Sequence, residues 1–341
     1  MGFYQSGLWQ WVAVFLMLVA WHAQAQPQLL KTESAASSSQ DWPEQVTLGV
    51  VVQTLGELGH MQAWMGGYVG WAGRKLDALI SNSAAVDEEN GSRMVLLLPY
   101  RVHADTSQYV TPRVNAILDL PNTNRKWKLF VSSFNEEKDQ RQVSAQVDQE
   151  NTQTQVGVQV QLKKTLDLLN LLDFGFNAKG LGLPTVYMRY KSIYYQQLNW
   201  DWSRRWFGKL FWESDLGVGF QGSLRHDRSL QFEKFLFRSE TTANWWDSGQ
   251  YWDLFHDFIL FHPISEKRSA MYFLGWNWNT QDRGLHLARF SFGNKLRQRL
   301  YKKWLFFEVK PLVTFTEATR FDEPDPSLTL QLEMLFYQSE K

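Results

Sequence analysis

Cysteine is absent from this chain, which excludes thiol nucleophiles, disulfide staples and cysteine-ligated metal centres. Neither sign of charge prevails: 35 Lys and Arg residues balance 35 Asp and Glu. Nucleic-acid surfaces carry a clear basic excess, so nucleic acid is not an expected partner. From Ser92 onward no long amphipathic helix can be drawn. No catalytic or metal motif stands out either, and the 7 histidines are scattered. No cofactor is therefore expected.

Aromatic residues, in contrast, are plentiful. They make up 15% of the chain and include 17 tryptophans, a load suited to a protein that sets amphipathic rings at two membrane interfaces. One apolar run exists, residues 8–21 (LWQWVAVFLMLVAW), too short for a comfortable spanning helix. Ala23 and Ala25 follow it in an A-x-A arrangement, so 1–25 reads as a secretory signal peptide, although no Lys or Arg precedes the run. Residues 26–45 read as a polar linker. In 46–91 the stretch from Met61 to Ile80 has helical spacing, with glycines at 66, 67, 70 and 73 that weaken an isolated helix by about 1 kcal/mol each. It is expected to be a periplasmic helical segment or a plug.

The remaining chain is written in period 2. QVGVQVQLK sets Val156, Val158, Val160 and Leu162 against Gln155, Gly157, Gln159 and Gln161. LDFGFNAK and WLFFEVKPLVTFT alternate in the same way, and the stretch SLTLQLEMLF sets Leu328, Leu330, Leu332, Met334 and Phe336 against Thr329, Gln331 and Glu333. Alternation marks half-buried strands. Candidate strands fall near 92–104, 109–120, 126–135, 153–164, 171–179, 185–196, 205–213, 216–226, 230–242, 251–262, 269–280, 285–296, 303–316 and 327–336. Merging 205–226 into one strand and demoting a weak one would leave twelve instead of fourteen. The spacers LPNTNR, HDRS, PISEKR and TQDRG read as turns, and KLRQRLYKK (295–303) reads as a basic turn near lipid headgroups.

Core or lipid is decided by the polar members of these runs. Arg113, Asp119, Lys128, Glu233, Asp253, Arg289, Glu308, Lys310 and Glu333 are too bulky and charged for a dry core. The opposite faces would expose an apolar patch far above the few hundred Å² usual in water. A closed antiparallel transmembrane β-barrel over 92–336 resolves both conflicts, with apolar residues toward lipid and these nine toward the lumen.

The strand-terminal aromatic Phe336 resembles the assembly signal of bacterial outer-membrane barrels, although the tail 337–341 (YQSEK) departs from that pattern. SRMVLLLPYRV, RVNAILDLPNTNRKWKLFVSSF and RQRLYKKWLFFEVKPLVTF resemble stretches of an uncharacterised proteobacterial outer-membrane β-barrel family. The resemblance implies a barrel in the outer membrane of a Gram-negative cell, with outer-membrane lipids around it and the barrel-assembly machinery as its insertion partner. It implies no activity.

The expected function is a narrow channel for small solutes. Two alternatives stand beside it: a structural or assembly barrel with a closed lumen, and an outer-membrane lipid or glycan hydrolase. The hydrolase reading is weak. His226, Asp227 and Ser229 lie too close in sequence to converge, since neighbours on a strand point to opposite faces. His256 and His262 share the face of Trp252, Leu254 and Phe258 and read as interface residues.

Overall fold

The computed structural model describes residues 92–103, 109–110, 112–120, 127–133, 153–179, 183–230, 235–281 and 284–337, together with Gln62. The expected signal peptide and linker, the 46–91 segment apart from Gln62, Glu233 and residues 338–341 lie outside the described residues.

The chain enters at β1 (Arg93–His103) and β2 (Tyr109–Val110), followed by β3 (Arg113–Leu120), β4 (Trp127–Ser132) and β5 (Gln153–Lys164). It continues through β6 (Leu168–Lys179), β7 (Thr185–Gln197), β8 (Trp202–Glu213), β9 (Gly217–Leu230) and β10 (Phe235–Trp246). The last strands are β11 (Trp252–Ser265), β12 (Arg268–Asn279), β13 (His286–Tyr301), β14 (Leu305–Thr316) and β15 (Asp325–Tyr337). Each strand from β4 to β14 pairs antiparallel with both of its sequence neighbours, and β1 joins β3 to β15. The closing seam runs without a break from Arg93 opposite Tyr337 to His103 opposite Ser327. Fourteen strands thus form a closed antiparallel barrel, and β2 is a short addition bonded to β1 at Tyr100 and Arg101. Closure leaves no sheet edge, the condition for strands in a membrane. A strand of 12 residues, such as β5, reaches about 40 Å and, tilted by about 40°, crosses about 30 Å of hydrocarbon.

The count is settled at fourteen by the turn at 214–216. There Leu216 N–H donates to the Glu213 carbonyl at 3.2 Å and Gly217 takes φ 74°, a conformation that costs a glycine little. The chain therefore reverses inside 205–226, and the merged single strand does not form. Two expected turns are strands instead. Residues 226–229 (HDRS) lie within β9, and 295–301 lie within β13, which turns only at 302–304. Polar residues misled the reading in both places, because charged side chains on an inner wall look locally like a turn.

Prolines sit where the ladder does not need their missing N–H. The β13–β14 register skips from Gly293 opposite Leu312 to Leu296 opposite Val309, which leaves Pro311 unpaired on that side while it stays opposite Leu328 of β15. Pro99 pairs with Gln331 of β15 but lies beyond the β3 register, which ends at Leu97 opposite Arg113. Pro263 adjoins a register shift in β11.

Alternate residues of a closed sheet face in and out. On β6–β8 one set is Asp173, Asn177, Tyr187, Arg189, Phe207 and Glu213, all buried; the other is Phe174, Phe176, Met188, Leu210 and Trp212, exposed by 41–55%. The exposed apolar set is the outer surface. The buried set, largely polar, is the inner wall.

Candidate functional site: the charged inner wall

Cross-strand register assembles the inner wall into ladders. Antiparallel partners directly opposite each other bring their side chains to one face, so each strand contributes every second residue. In the β5–β8 sector Arg189 Nη2 meets Glu213 Oε1 at 2.7 Å, and its Nη1 donates to Gln155 Oε1 at 2.9 Å. Asn177 Nδ2 donates to the other Glu213 oxygen at 3.1 Å. Lys191 Nζ lies 2.7 Å from Asp173 Oδ2, whose second oxygen accepts from Gln159 Nε2 at 2.9 Å. Charged groups with several such bonds are well satisfied despite burial.

Tyr187 anchors this sector. Its ring carries the Arg189 guanidinium at 4.0 Å, and it lies over the facing pair Gly157 and Gly175. A Cβ on Gly157 would run into the Tyr187 hydroxyl, and one on Gly175 into the Val156 carbonyl. The two glycines are thus a socket for the tyrosine, and the aromatic ring covers backbone that glycine leaves bare.

The β9–β11 sector repeats the scheme. Arg225 reaches Glu240 Oε2 through Nε at 3.0 Å and Nη2 at 2.9 Å. Arg238 grips Asp227 with two bonds, Nε to Oδ1 at 2.7 Å and Nη2 to Oδ2 at 3.1 Å. In the β13–β15 sector Glu308 lies 3.5 Å from Lys295 Nζ and 3.4 Å from Arg297 Nε, and accepts from Gln331 Nε2 at 3.1 Å. Arg297 Nη2 reaches on to Glu333 at 2.9 Å.

Between these ladders the wall turns apolar. Ile259, Phe273 and Leu312 form a buried cluster with Phe261 and Met271 packed against it. Lys310 Nζ lies 5.3 Å from the Phe273 ring centre and the Arg238 guanidinium 5.0 Å from that of Phe261, so cations border the patch through their attraction to ring faces.

The nine residues singled out from the sequence are distributed as follows. Asp119 and Lys128 are opposite each other and 3.8 Å apart. Glu308 and Glu333 share the Arg297 network, and Lys310 borders the apolar patch. Arg113 sits opposite Leu97, Asp253 opposite Asn279, and Arg289 opposite Thr316 and Asn277, all at inner-wall alternation positions. Glu233 is outside the described residues. Alternation in LDFGFNAK put Asp173 on the polar side without singling it out, and sequence reading missed Arg189, Glu213, Arg225, Asp227, Glu240 and Arg297. Arg297 and Asp227 were hidden inside supposed turns; the other four lacked a local mark, because only register shows that an arginine has a carboxylate across the sheet.

His226 and Asp227 point to opposite faces: Asp227 inward to Arg238, His226 outward to Arg204 Nε at 3.0 Å. His256 lies on the outer face with its Nδ1 2.8 Å from Thr241 Oγ1 and its ring against Phe258 and Trp276. These contacts hold the imidazoles apart from every inner carboxylate named above.

No protein-family model matches the chain, and no curated protein matches it. Among solved structures it is similar to the outer-membrane-expressed OmpT of Vibrio cholerae, at 5% identity over 73% of this chain and 99% of that one, with a TM-score of 0.46. It is similar also to the outer membrane channel DcaP of Acinetobacter baumannii, at 9% identity, 73% and 96% coverage and a TM-score of 0.45. The KdgM porin matches at 7% identity, 70% and 98% coverage and a TM-score of 0.35. The fold assignment rests on the strand pairing described above.

Proposed function

We propose that this chain is an integral outer-membrane barrel of a Gram-negative cell, of the proteobacterial type its sequence resembles, and that it acts as a narrow channel for small polar solutes. The observation that carries this reading is the segregation of the two faces of one closed ring. Its inner wall is laddered with Asp, Glu, Arg and Lys, and its outer surface exposes Phe176, Met188 and Leu210 by half or more. An apolar exterior of that extent suits hydrocarbon, and a hydrogen-bonded charged interior suits water and polar solutes. The ladders mix both signs, so strong selection for one ion sign is not expected.

A second reading is favoured by one specific observation. Tyr187 and Asp257 on the inner wall are fully buried, at 0% exposure, which suits a structural barrel with a closed lumen. Planar-bilayer recordings of the purified protein separate the two. Discrete steps of conductance support the channel; a silent but inserted, heat-modifiable barrel supports the closed form.

The orientation we propose puts the aromatic end of the closing strand, at Phe336, in the periplasm. With the end of β15 in the periplasm, the connections 266–267 and 302–304 are periplasmic and 317–324 is outside the cell. An epitope placed at Asp322 should be stained on intact cells. Staining only after permeabilisation overturns this orientation. Export by the 1–25 signal is checked by the intact mass of the membrane-extracted protein, which should begin at Gln26.

A further inference from the structure

The outer surface of β8–β11 carries two arginines among its aromatic and aliphatic side chains. Near the end of the barrel where β15 finishes, Arg204 sits opposite His226 and Trp202 opposite Arg228 in the β8–β9 register. Arg204 Nε donates to His226 Nε2 at 3.0 Å, and the Arg228 guanidinium lies 5.5 Å from the Trp202 ring centre. Neither arginine meets a carboxylate among the described residues. Asp227, between them in sequence, points inward and is held by Arg238.

Beside these cations lies a shallow outer recess of roughly 430 Å³ lined by Trp202, His226, Phe237, Ser239 and Phe258. Its walls are rigid aromatics: Phe237 stacks on Phe258 at 5.8 Å, and Trp202 meets Phe237 edge-on at 6.3 Å. The recess is apolar along its length and cationic at its rim.

We propose that this site holds an anionic phospholipid, its phosphate on Arg204 and Arg228 and an acyl chain along Trp202, Phe237 and Phe258. The inference rests on the reading of the outer face as lipid-facing. Two arginines at an apolar surface are costly without a counter-charge and inexpensive at headgroup depth beside one. The bond to His226 occupies only Nε of Arg204, so its two terminal nitrogens remain to take phosphate oxygens in the paired geometry that guanidinium favours. The orientation proposed above puts the recess at the periplasmic leaflet, where phospholipids supply such headgroups.

The test uses the full folded chain in detergent, with native mass spectrometry after addition of phosphatidylglycerol or of phosphatidylcholine with the same acyl chains. Wild type should retain phosphatidylglycerol in preference. The double variant Arg204→Gln/Arg228→Gln should retain it about thirtyfold less, at roughly fivefold per arginine, while Arg204→Lys/Arg228→Lys, which keeps the charge and loses the paired geometry, should retain an amount between the two. Should the double Gln variant fail to show a heat-modifiable band, Arg228→Gln alone carries the test through its fivefold loss. Equal retention of both lipids by wild type, equal retention by wild type and the folded Gln variant, preference for lipid A, or displacement of phosphatidylglycerol by inorganic phosphate at the same concentration would each overturn the proposal. Failure to insert into vesicles, measured separately, would instead overturn the membrane reading on which it rests.

Discussion

Strands β8 and β9 carry arginines on both of their faces, β10 adds an inner one, and the two faces treat them differently. Inside, Arg225 is 8% exposed and bonded twice to Glu240, and Arg238 is bonded twice to Asp227. Outside, Arg204 rests on a histidine and Arg228 on a tryptophan. The residues alternate along β9 itself: Arg225 in, His226 out, Asp227 in, Arg228 out. For these two inner arginines the chain itself supplies the counter-charge, whereas Arg205, also on the inner face, lies against the Tyr195 ring at 5.7 Å. An outer arginine at the rim leaves that role to its surroundings. The same residue type is therefore structural on one face and, by the proposal above, a ligand-binding group on the other.

Breaking the inner side of this comparison should have the largest effect. Glu240→Ala leaves Arg225 buried and unpaired, which should lower unfolding stability by about 3–5 kcal/mol. The joint replacement Arg225→Leu/Glu240→Leu should recover most of that loss. Urea unfolding followed on heat-modifiability gels measures both. A joint variant as weak as the single one would mean that the ladder contributes more than pairing.

Next comes the lipid side of the closing strand. Leu332→Arg places a charge on the outer face and should cost about 2–4 kcal/mol near the midplane. Gln331→Arg, one position earlier on the inner wall and opposite Glu308, should leave folded barrel near the wild-type amount. Glu333→Arg is a poorer control, since Glu333 is already tied to Arg297 at 2.9 Å and reversal would set like charges together. If Gln331→Arg is the more damaging change, the assignment of faces is inverted.

A smaller effect is expected at the glycine socket. Gly175→Ala forces a methyl against the Val156 carbonyl under Tyr187 and should cost about 1–3 kcal/mol by overpacking, read from the same urea series. Smallest of all is Arg204→Gln in detergent. With no carboxylate partner to lose among the described residues, it should change stability by less than about 0.5 kcal/mol. A large loss there would show that the outer arginine is structural after all and would erase the contrast between the faces.

Much of the fold was legible in the residues themselves. Period-2 alternation of large apolar and polar side chains locates strands, because only the strand repeat sends successive side chains to opposite faces. It placed fourteen segments close to the observed ones, and it put Gln331 and Glu333 on one side of β15 with Leu330 and Leu332 on the other. Alternation failed where both faces are polar. At 226–229, His226 and Arg228 outside and Asp227 inside leave no apolar stripe, and the strand looked like a turn. In 295–301 the charged inner residues Lys295 and Arg297, together with outer Gln298, obscured the end of β13 in the same way.

By itself, then, the sequence determined the strand class and the sorting of side chains onto two faces, since these follow from local periodicity, while the choice of fourteen crossings over twelve waited on the turn at 214–216. Pairing partners were decided only by tertiary structure. That Arg189 answers Glu213, that Arg297 bridges Glu308 to Glu333, and that Tyr187 lies over Gly157 and Gly175 depends on the register between strands. A shift of one residue along any seam would turn each inner group outward, so no segment read alone contains that information. The outer arginine site has the same origin: Arg204, Arg228 and the aromatic recess come from four consecutive strands, and only the register between those strands sets them side by side.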